Sequence, residues 1–474
     1  MNIKEIHIKN FRLFNANKGL SIDSINLPDG SEGSGLSVFL GENGCGKSSI
    51  LDAFALPFLS YKADAVEIDD FHDPNQKIEI DVLSSEEFSV DGTMPKSTFM
   101  SVGFRFEAGI RSRATKAYLS SMIVSDQKFI KPVGQDKPKD GSPDLRVNVN
   151  NPFKGKRFDE NDFLFLDKNR TFQTRSGTYN STRFDRLMED FDYKYVQGQE
   201  DLKDLNSLFG EIEIQNDFLT QALEQFKELS GLDLRLDFID NFRPFLKSFF
   251  SQIKENNQQI KLSNLGSGYE MIFSLIYSFY LSQQSGKQLI ALIDEPELHL
   301  HPSIQEKFVE FLIGASKNNQ IIITTHSPLL VKQLLYNDRI KIFGLKKGSE
   351  EVELLSNRSL LLPWISANEI NYLAFKLPTE EYHNELYGYA QELFESWTEK
   401  DIEETLEIFT VEKSKRWQRE RGGTINGEPY DVTLPTFIRN QIHHPENKTM
   451  QEYRYSNYEL IESIQILRDL IENG

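Results

Sequence analysis

Three short apolar runs stand out along the chain, Leu36–Leu40, Leu289–Ile293 and Ile321–Ile323. Each is too short for an ordinary helix and too continuous for a strand with one wet face, so each predicts a strand buried on both faces, as in a parallel sheet. Each is followed by polar residues. The first leads into Gly41-Glu42-Asn43-Gly44-Cys45-Gly46-Lys47-Ser48-Ser49 and a helical pattern over 47–58. The second leads into Asp294-Glu295-Pro296-Glu297, and the third into Thr324-Thr325-His326-Ser327-Pro328. A fourth element, Gly266-Ser267-Gly268-Tyr269-Glu270, is a Ser-Gly turn opening the helix-like apolar segment 271–282. Between these landmarks, much of 65–260 is polar, loop-rich and aromatic without sustained heptads, which argues against long coiled-coil arms. After Gly344 come acidic helical segments around 380–410, the basic-aromatic run Lys413–Arg421, a Gly422-Gly423 turn and two final helices.

Strand, glycine-rich loop and helix start at 36–49 together form a phosphate cradle. Gly41, Gly44 and Gly46 let backbone N–H groups approach phosphates without a Cβ in the way, with Asn43 and Ser49 in the same loop and helix start. Lys47 reaches the β- and γ-phosphates and the Ser48 hydroxyl sits on Mg²⁺. Parallel sheets bind ligands at the carboxyl ends of their strands. Asp294 there completes a Mg²⁺ shell, Glu295 polarises an attacking water, and His326 donates toward a γ-phosphate. Ser267 and Gly268 offer a second anion site at a helix N-terminus. Taken singly, the last three elements have plainer readings, since acidic strand ends, packing histidines and Ser-capped helices are all common.

Composition narrows the classes. Against 53 basic residues stand 72 acidic ones, a net charge of −19, which opposes a DNA-coating role because phosphate neutralisation drives such binding. The single cysteine, Cys45, lies inside the loop and excludes an intrachain disulfide or a cysteine-built zinc site. No apolar run reaches the length of a membrane span, and Lys4, Lys9 and Arg12 interrupt the N-terminus, so a cytoplasmic location is expected. Segment 133–160, rich in Pro, Gly, Asp and Lys, reads as an exposed excursion. Lys168, Arg170, Arg175 and Arg183 gather in 163–184, either to hold nucleotide, partner or nucleic acid, or as a solvated loop.

In order and spacing the four elements resemble the ATP-binding-cassette ATPases of the SMC, RecF and recombination-repair class. That class includes compact ATPases of bacterial anti-phage systems of the Septu and retron-associated kinds. The likeness covers roughly residues 1–345 and extends to the edge strand Ile3–Lys9 ending in Asn10-Phe11-Arg12. It implies ATP and Mg²⁺ as cofactors and a head-to-tail dimer or higher oligomer. ATP is then buried between Lys47, Ser48, Asp294, Glu295 and His326 of one subunit and Ser267, Gly268 and Glu270 of another. Tyr269 stands where the class usually has a second glycine. The segment Glu297-Leu298-His299-Leu300-His301-Pro302 is similar to the one that faces the partner subunit in that class.

In the C-terminal region, helical spacing places Arg439, His443 and His444 near one another before Pro445 stops the helix. Such a cluster can move protons at a ribose 2′-OH and a leaving oxygen while arginine stabilises the phosphate, without a metal. Arg439-Asn440-x-x-x-His444 resembles the Arg-polar-x-x-x-His motif of the HEPN superfamily, whose helical domains dimerise into a composite ribonuclease site. The alternative is a helix-terminal cationic histidine stabilised by the dipole, with an arginine paired to a nearby acid.

The fold expected is an α/β P-loop ATPase of ABC type with a mixed sheet, the loop and the acidic strand end side by side, and a C-terminal all-α domain. Its boundaries are 1–64 and 256–350 for the ATPase, 65–255 for an inserted subdomain and 360–474 for the helical domain. The function expected is that of a sensor-regulator ATPase in bacterial anti-phage defence, controlling a nuclease partner through nucleotide-dependent dimer closure. The alternatives are an ATP-gated HEPN-like ribonuclease within the chain and a RecF-like DNA-repair ATPase.

Overall fold

In the computed structural model the described residues are 2–55, 66–89, 98–111, 114–124, 127–130, 161–166, 217–237, 249–253, 259–261, 267–284, 288–298, 300–345, 352–355, 360–421, 424–447, 449–450 and 453–474. The basic residues Lys168, Arg170, Arg175 and Arg183, and the excursion at 133–160, lie outside them. The chain divides into two units, Met1–Leu330 with Asn337–Leu354, and Val331–Tyr336 with Leu355–Gly474.

The three apolar runs are strands of one six-stranded sheet of the first unit. They are called here the loop strand (Leu36–Gly41), the acid strand (Gln288–Asp294) and the histidine strand (Gln320–Thr325). Across the sheet the order is Val352–Leu355, Lys341–Leu345, loop strand, histidine strand, acid strand, Asn161–Leu166. Every described pairing in it is parallel. All six residues of the loop strand and of the histidine strand are buried, as continuous β-branched and aromatic runs require when both faces are covered. The loop and acid strands are therefore not paired neighbours, the histidine strand lying between them. Apolar periodicity identifies a buried strand without saying which strand it pairs with.

A second six-stranded sheet is antiparallel and runs Leu20–Ile22, Ile3–Lys9, Ile78–Ser89, Thr98–Arg111, Ala114–Val124, Gln127–Ile130. The expected mixture of strand directions is thus divided between two sheets. Ile78–Ser89 pairs with the N-terminal strand and the following strands add to it in turn, while Asn161–Leu166 pairs with the acid strand. The stretch expected as an insertion at 65–255 therefore supplies strands to both sheets of the same unit. Its alternating pattern reads alike for a separate subdomain and for a sheet added to an existing edge.

The two sheets and the helix Lys47–Ala55 share one core. Ile6, Ile8, Ile50, Phe54, Ile80, Phe104, Leu292 and Ile322 are all fully buried in it. Gln320 fixes the first strand to this core: its Oε1 accepts from Ile3 N at 2.8 Å, and its Nε2 donates to Ile3 O at 2.7 Å and Asn26 O at 2.9 Å. A buried amide is tolerated because every polar atom it carries is satisfied.

The Asn-Phe-Arg turn has a local cause. Asn10 and Arg12 both adopt left-handed backbone, φ 55° and 51°, and the Asn10 amide holds Asp73 O, Gln76 O and Asp73 N at 2.9, 2.9 and 2.7 Å. The turn delivers Arg12 between Asp52, on the helix after the phosphate loop, and Asp70. Burial works against the guanidinium charge, but the two carboxylates outweigh it and raise its pKa.

The second unit is not all-α. Helices Ala367–Phe375, Glu380–Leu393, Glu399–Ile408, Leu434–His443 and Asn457–Asn473 are joined by an antiparallel hairpin, Lys415–Arg421 with Thr424–Val432. The Gly422-Gly423 turn read from the sequence lies outside the described residues; Trp417 sinks into the core edge-on to Phe437 at 6.1 Å. Acidic capping boxes, Thr398 with Asp401 and Ser456 with Glu459, start two of the helices, satisfying N–H groups that a helix start leaves unpaired. His383 is fully buried against Ser463, 2.9 Å away, and burial pushes its imidazole down to about 3. It is a neutral packing residue.

Candidate functional site

The loop strand ends in the glycine-rich turn. At Gly41, φ 152°, a Cβ would meet Leu345 O at 2.5 Å and Cys45 Sγ at 2.8 Å; at Gly46, φ 105°, it would meet the Phe14 ring at 3.0 Å. Glycine at these two places is thus required by the close packing of the loop as well as by backbone angle. Asn43 and Gly44 are exposed at the turn, while Ser49 is buried at the helix start.

Helix Lys47–Ala55 packs on the loop, histidine and acid strands, which carries Ser48 to the acid strand although another strand lies between. Ser48 Oγ donates to Asp294 Oδ2 at 2.9 Å. Asp294 is 3% exposed, and Thr324, fully buried, donates to its other oxygen. Glu295 follows with φ 49°, a left-handed conformation that is uncommon for a non-glycine residue. Its N–H is held by Thr324 O and Thr324 Oγ1, both at 3.1 Å. Backbone held in such a conformation is a mark of functional sites.

At the end of the histidine strand, His326 stands between two site residues. Its Nε2 is 2.7 Å from Glu295 Oε1 and its Nδ1 is 3.3 Å from Lys47 Nζ. Lys47 Nζ also donates to Gly41 O at 2.7 Å and Glu42 O at 3.1 Å. Burial lowers the Lys47 pKa against the pull of Glu295 and Asp294. Burial and then the Lys47 charge lower that of His326, against Glu295. The imidazole is therefore held neutral, able to donate through one nitrogen and accept through the other.

Lys47, Ser48, Asp294, Glu295 and His326 thus meet at one sheet edge. Two hard oxygen donors, Ser48 and Asp294, lie side by side, and the loop backbone around Gly44 has open space beside it. These residues suit a magnesium nucleotide. Ser267 and Gly268 open the helix Ser267–Gln284, which packs on the acid strand and on the helix Asp217–Ser230. Tyr269 stands edge-on to Phe226 of that second helix at 6.4 Å. Thr324, Thr325 and Glu297 belong to the site as well. The sequence holds them in view beside the singled-out residues, but their role is to hold backbone, which no spacing rule signals.

A family model described as "AAA domain, putative AbiEii toxin, Type IV TA system" matches residues 36–332, from the start of the loop strand to beyond His326. The chain belongs to this family. Among relatives of this AAA-family chain, the retron Ec83 probable ATPase of Escherichia coli is 30% identical over 30% of the chain and 27% of the relative. The Septu protein PtuA of Bacillus thuringiensis is 28% identical over 27% of the chain and 36% of the relative. The OLD nuclease of Thermus scotoductus is 23% identical over 69% of the chain and 59% of the relative. The matches thus span less than two thirds of each relative's length.

The second candidate cluster lies in the helical unit. Asn440 is 1% exposed, donates to Glu399 Oε2 at 3.1 Å and accepts from Arg439 Nη1 at 3.1 Å, so it orients Arg439 and faces no solvent. Arg439 lies 5.8 Å from the Tyr387 ring centre. His443 is exposed at the helix end, its pKa lowered by burial and by the charges of Arg439 and His444. His444 is exposed, with Nδ1 3.3 Å from Glu446. The nearby basic run is largely neutralised: Lys413 pairs with Glu407 at 2.7 Å, Lys415 with Glu459, and Arg419 with Glu399 at 3.1 Å. It is not a free cationic patch.

No helix among the described residues is long and apolar enough to cross a membrane.

Proposed function

We propose that the chain binds and hydrolyses ATP at the Lys47–Ser48–Asp294–Glu295–His326 cluster. We propose further that it acts as a cytoplasmic sensor-regulator in bacterial anti-phage defence, its nucleotide state controlling a nuclease effector. The observation that carries the reading is the chain of contacts from Lys47 through His326 to Glu295, beside the Ser48–Asp294 pair. Lys47 and the loop N–H groups bind phosphate oxygens. Glu295 takes a proton from the attacking water, and His326, donating its one N–H to Glu295, holds that carboxylate in line. Ser48 and Asp294 would hold Mg²⁺, which supplies charge neutralisation for the phosphates when bound. The retron and Septu relatives are of the two kinds that the sequence resemblance associates with anti-phage systems, which supports placing this ATPase there.

Ser267, Gly268 and Glu270 complete the site from a second subunit in this reading, so closure on ATP buries it and hydrolysis reopens it. Ser267→Arg is then expected to leave ATP binding by one subunit within about twofold and to abolish turnover. A mixed dimer of Ser267→Arg with Lys47→Ala keeps one site whose loop and Ser-Gly turn are both intact. About half of wild-type turnover should return in it, measured by phosphate release from mixed and unmixed preparations. Mixed dimers as inactive as their parents would argue against shared sites.

A second reading, a metal-independent ribonuclease in the helical unit, is favoured by one observation: Arg439, His443 and His444 gather at one helix end. Under it, Arg439→Ala or His444→Ala abolishes RNA cleavage and phage protection while ATP turnover and the unfolding midpoint stay at wild-type values. Variants that protect cells normally place the effector in another chain, and variants that unfold make the cluster structural.

A further inference from the structure

Glu297 lies two residues beyond Glu295 in the turn after the acid strand, where the resemblance to the cassette ATPases implies a face toward the partner subunit. Its side chain turns back instead. Oε1 accepts from Thr325 Oγ1 at 2.7 Å and from the backbone N–H of His326 at 2.7 Å. Oε2 is buried and has no hydrogen-bond partner among the described residues. Burial raises the pKa of this carboxyl against the two donors on Oε1.

The arrangement is a poor one for stability. A carboxyl that places both donors on one oxygen and leaves the other dry loses hydration without full return. A residue retained under those terms calls for an explanation at the site it serves. What Glu297 holds is the peptide N–H of His326, the residue whose ring spans Glu295 and Lys47. Thr325 Oγ1 in turn accepts from Ser327 N at 2.9 Å, so one carboxyl oxygen fixes three successive residues of the histidine turn.

We infer that Glu297 is a positioning residue for hydrolysis: through Oε1 it sets the His326 backbone so that the imidazole bridges Glu295 and Lys47. Reach, not charge, is what the role needs. The inference rests on the hydrolysis reading above and adds a residue to it.

Two variants separate reach from charge in the full chain. Glu297→Gln keeps an oxygen at the same reach and removes the charge, so kcat should stay within about threefold of wild type with an unshifted pH profile. Glu297→Asp keeps the charge and shortens the arm by one methylene, so kcat should fall about tenfold or more while KM for ATP and the unfolding midpoint hold. An aspartate variant as active as wild type, or a glutamine variant as impaired as the aspartate one, overturns the inference. So does failure of both to fold, which makes Glu297 purely structural. Wild-type and Glu295→Gln chains measured alongside keep the two claims apart. If wild type turns over no ATP or Glu295→Gln turns it over normally, the hydrolysis reading fails and the inference with it. If both behave as expected, the Glu297 pair judges the inference alone.

Discussion

Exchanging Glu295 for glutamine is expected to slow ATP turnover by about 10²–10⁴-fold, the range that loss of a general base gives, while ATP binding persists. Glutamine matches the carboxylate in size and can still bond His326, whose Nε2 lies 2.7 Å from Glu295 Oε1. It cannot take a proton from water at neutral pH. Binding contributes to the ground state and proton removal only to the transition state, so kcat should fall with little change in affinity. A chain that closes on ATP and cannot hydrolyse it should accumulate as an ATP-bound dimer. Phosphate release together with mass in solution measures both effects, and near-normal turnover would move the catalytic role to another residue.

Lys47→Ala is expected to act one step earlier and to abolish nucleotide binding itself. Lys47 is 5% exposed and its ammonium is held at 2.7–3.3 Å by Gly41 O, Glu42 O and His326 Nδ1, which aims it across the mouth of the loop. Each charge-assisted hydrogen bond it makes to phosphate contributes roughly 1.5–3 kcal/mol, so losing two weakens affinity by about 10²-fold or more. The charge is also what a desolvated anion needs most. A binding titration with ATP and Mg²⁺ measures this directly, and phage protection should disappear with it. Unchanged affinity would remove the phosphate-loop assignment.

The two variants touch the part of the molecule that was most legible in the sequence. Glycines, Lys47 and Ser48 directly after a buried run, Asp294-Glu295 after a second and His326 after a third can be read because strand ends put polar residues at fixed places. The Ser48–Asp294 and Glu295–His326 contacts bring these residues together. Pairing order was not legible. The histidine strand lies between the other two, since three equivalent β-branched runs carry no label for their neighbours. The sheet built from residues 78–130 could not be told from an insertion, because its partner, Ile3–Lys9, is remote in sequence. In the second unit, Lys415–Arg421 forms a hairpin strand whose charges are paired by Glu399 and Glu459, acids too far along the chain for a local reading to match. Asn440 looked like part of a surface motif and is buried under Glu399. The roles of Thr324 and Glu297 were not legible for another reason: they act by accepting or donating to backbone and to other site residues, a role that any polar residue type can fill.

The most direct test of the central claim sets ATP hydrolysis beside ATP binding in the same preparations of wild type, Lys47→Ala and Glu295→Gln. The structure leads us to expect Mg²⁺-dependent phosphate release by wild type alone, with binding lost only in Lys47→Ala. Wild-type chain that releases no phosphate, or a Glu295→Gln chain that loses binding as completely as Lys47→Ala, would contradict it.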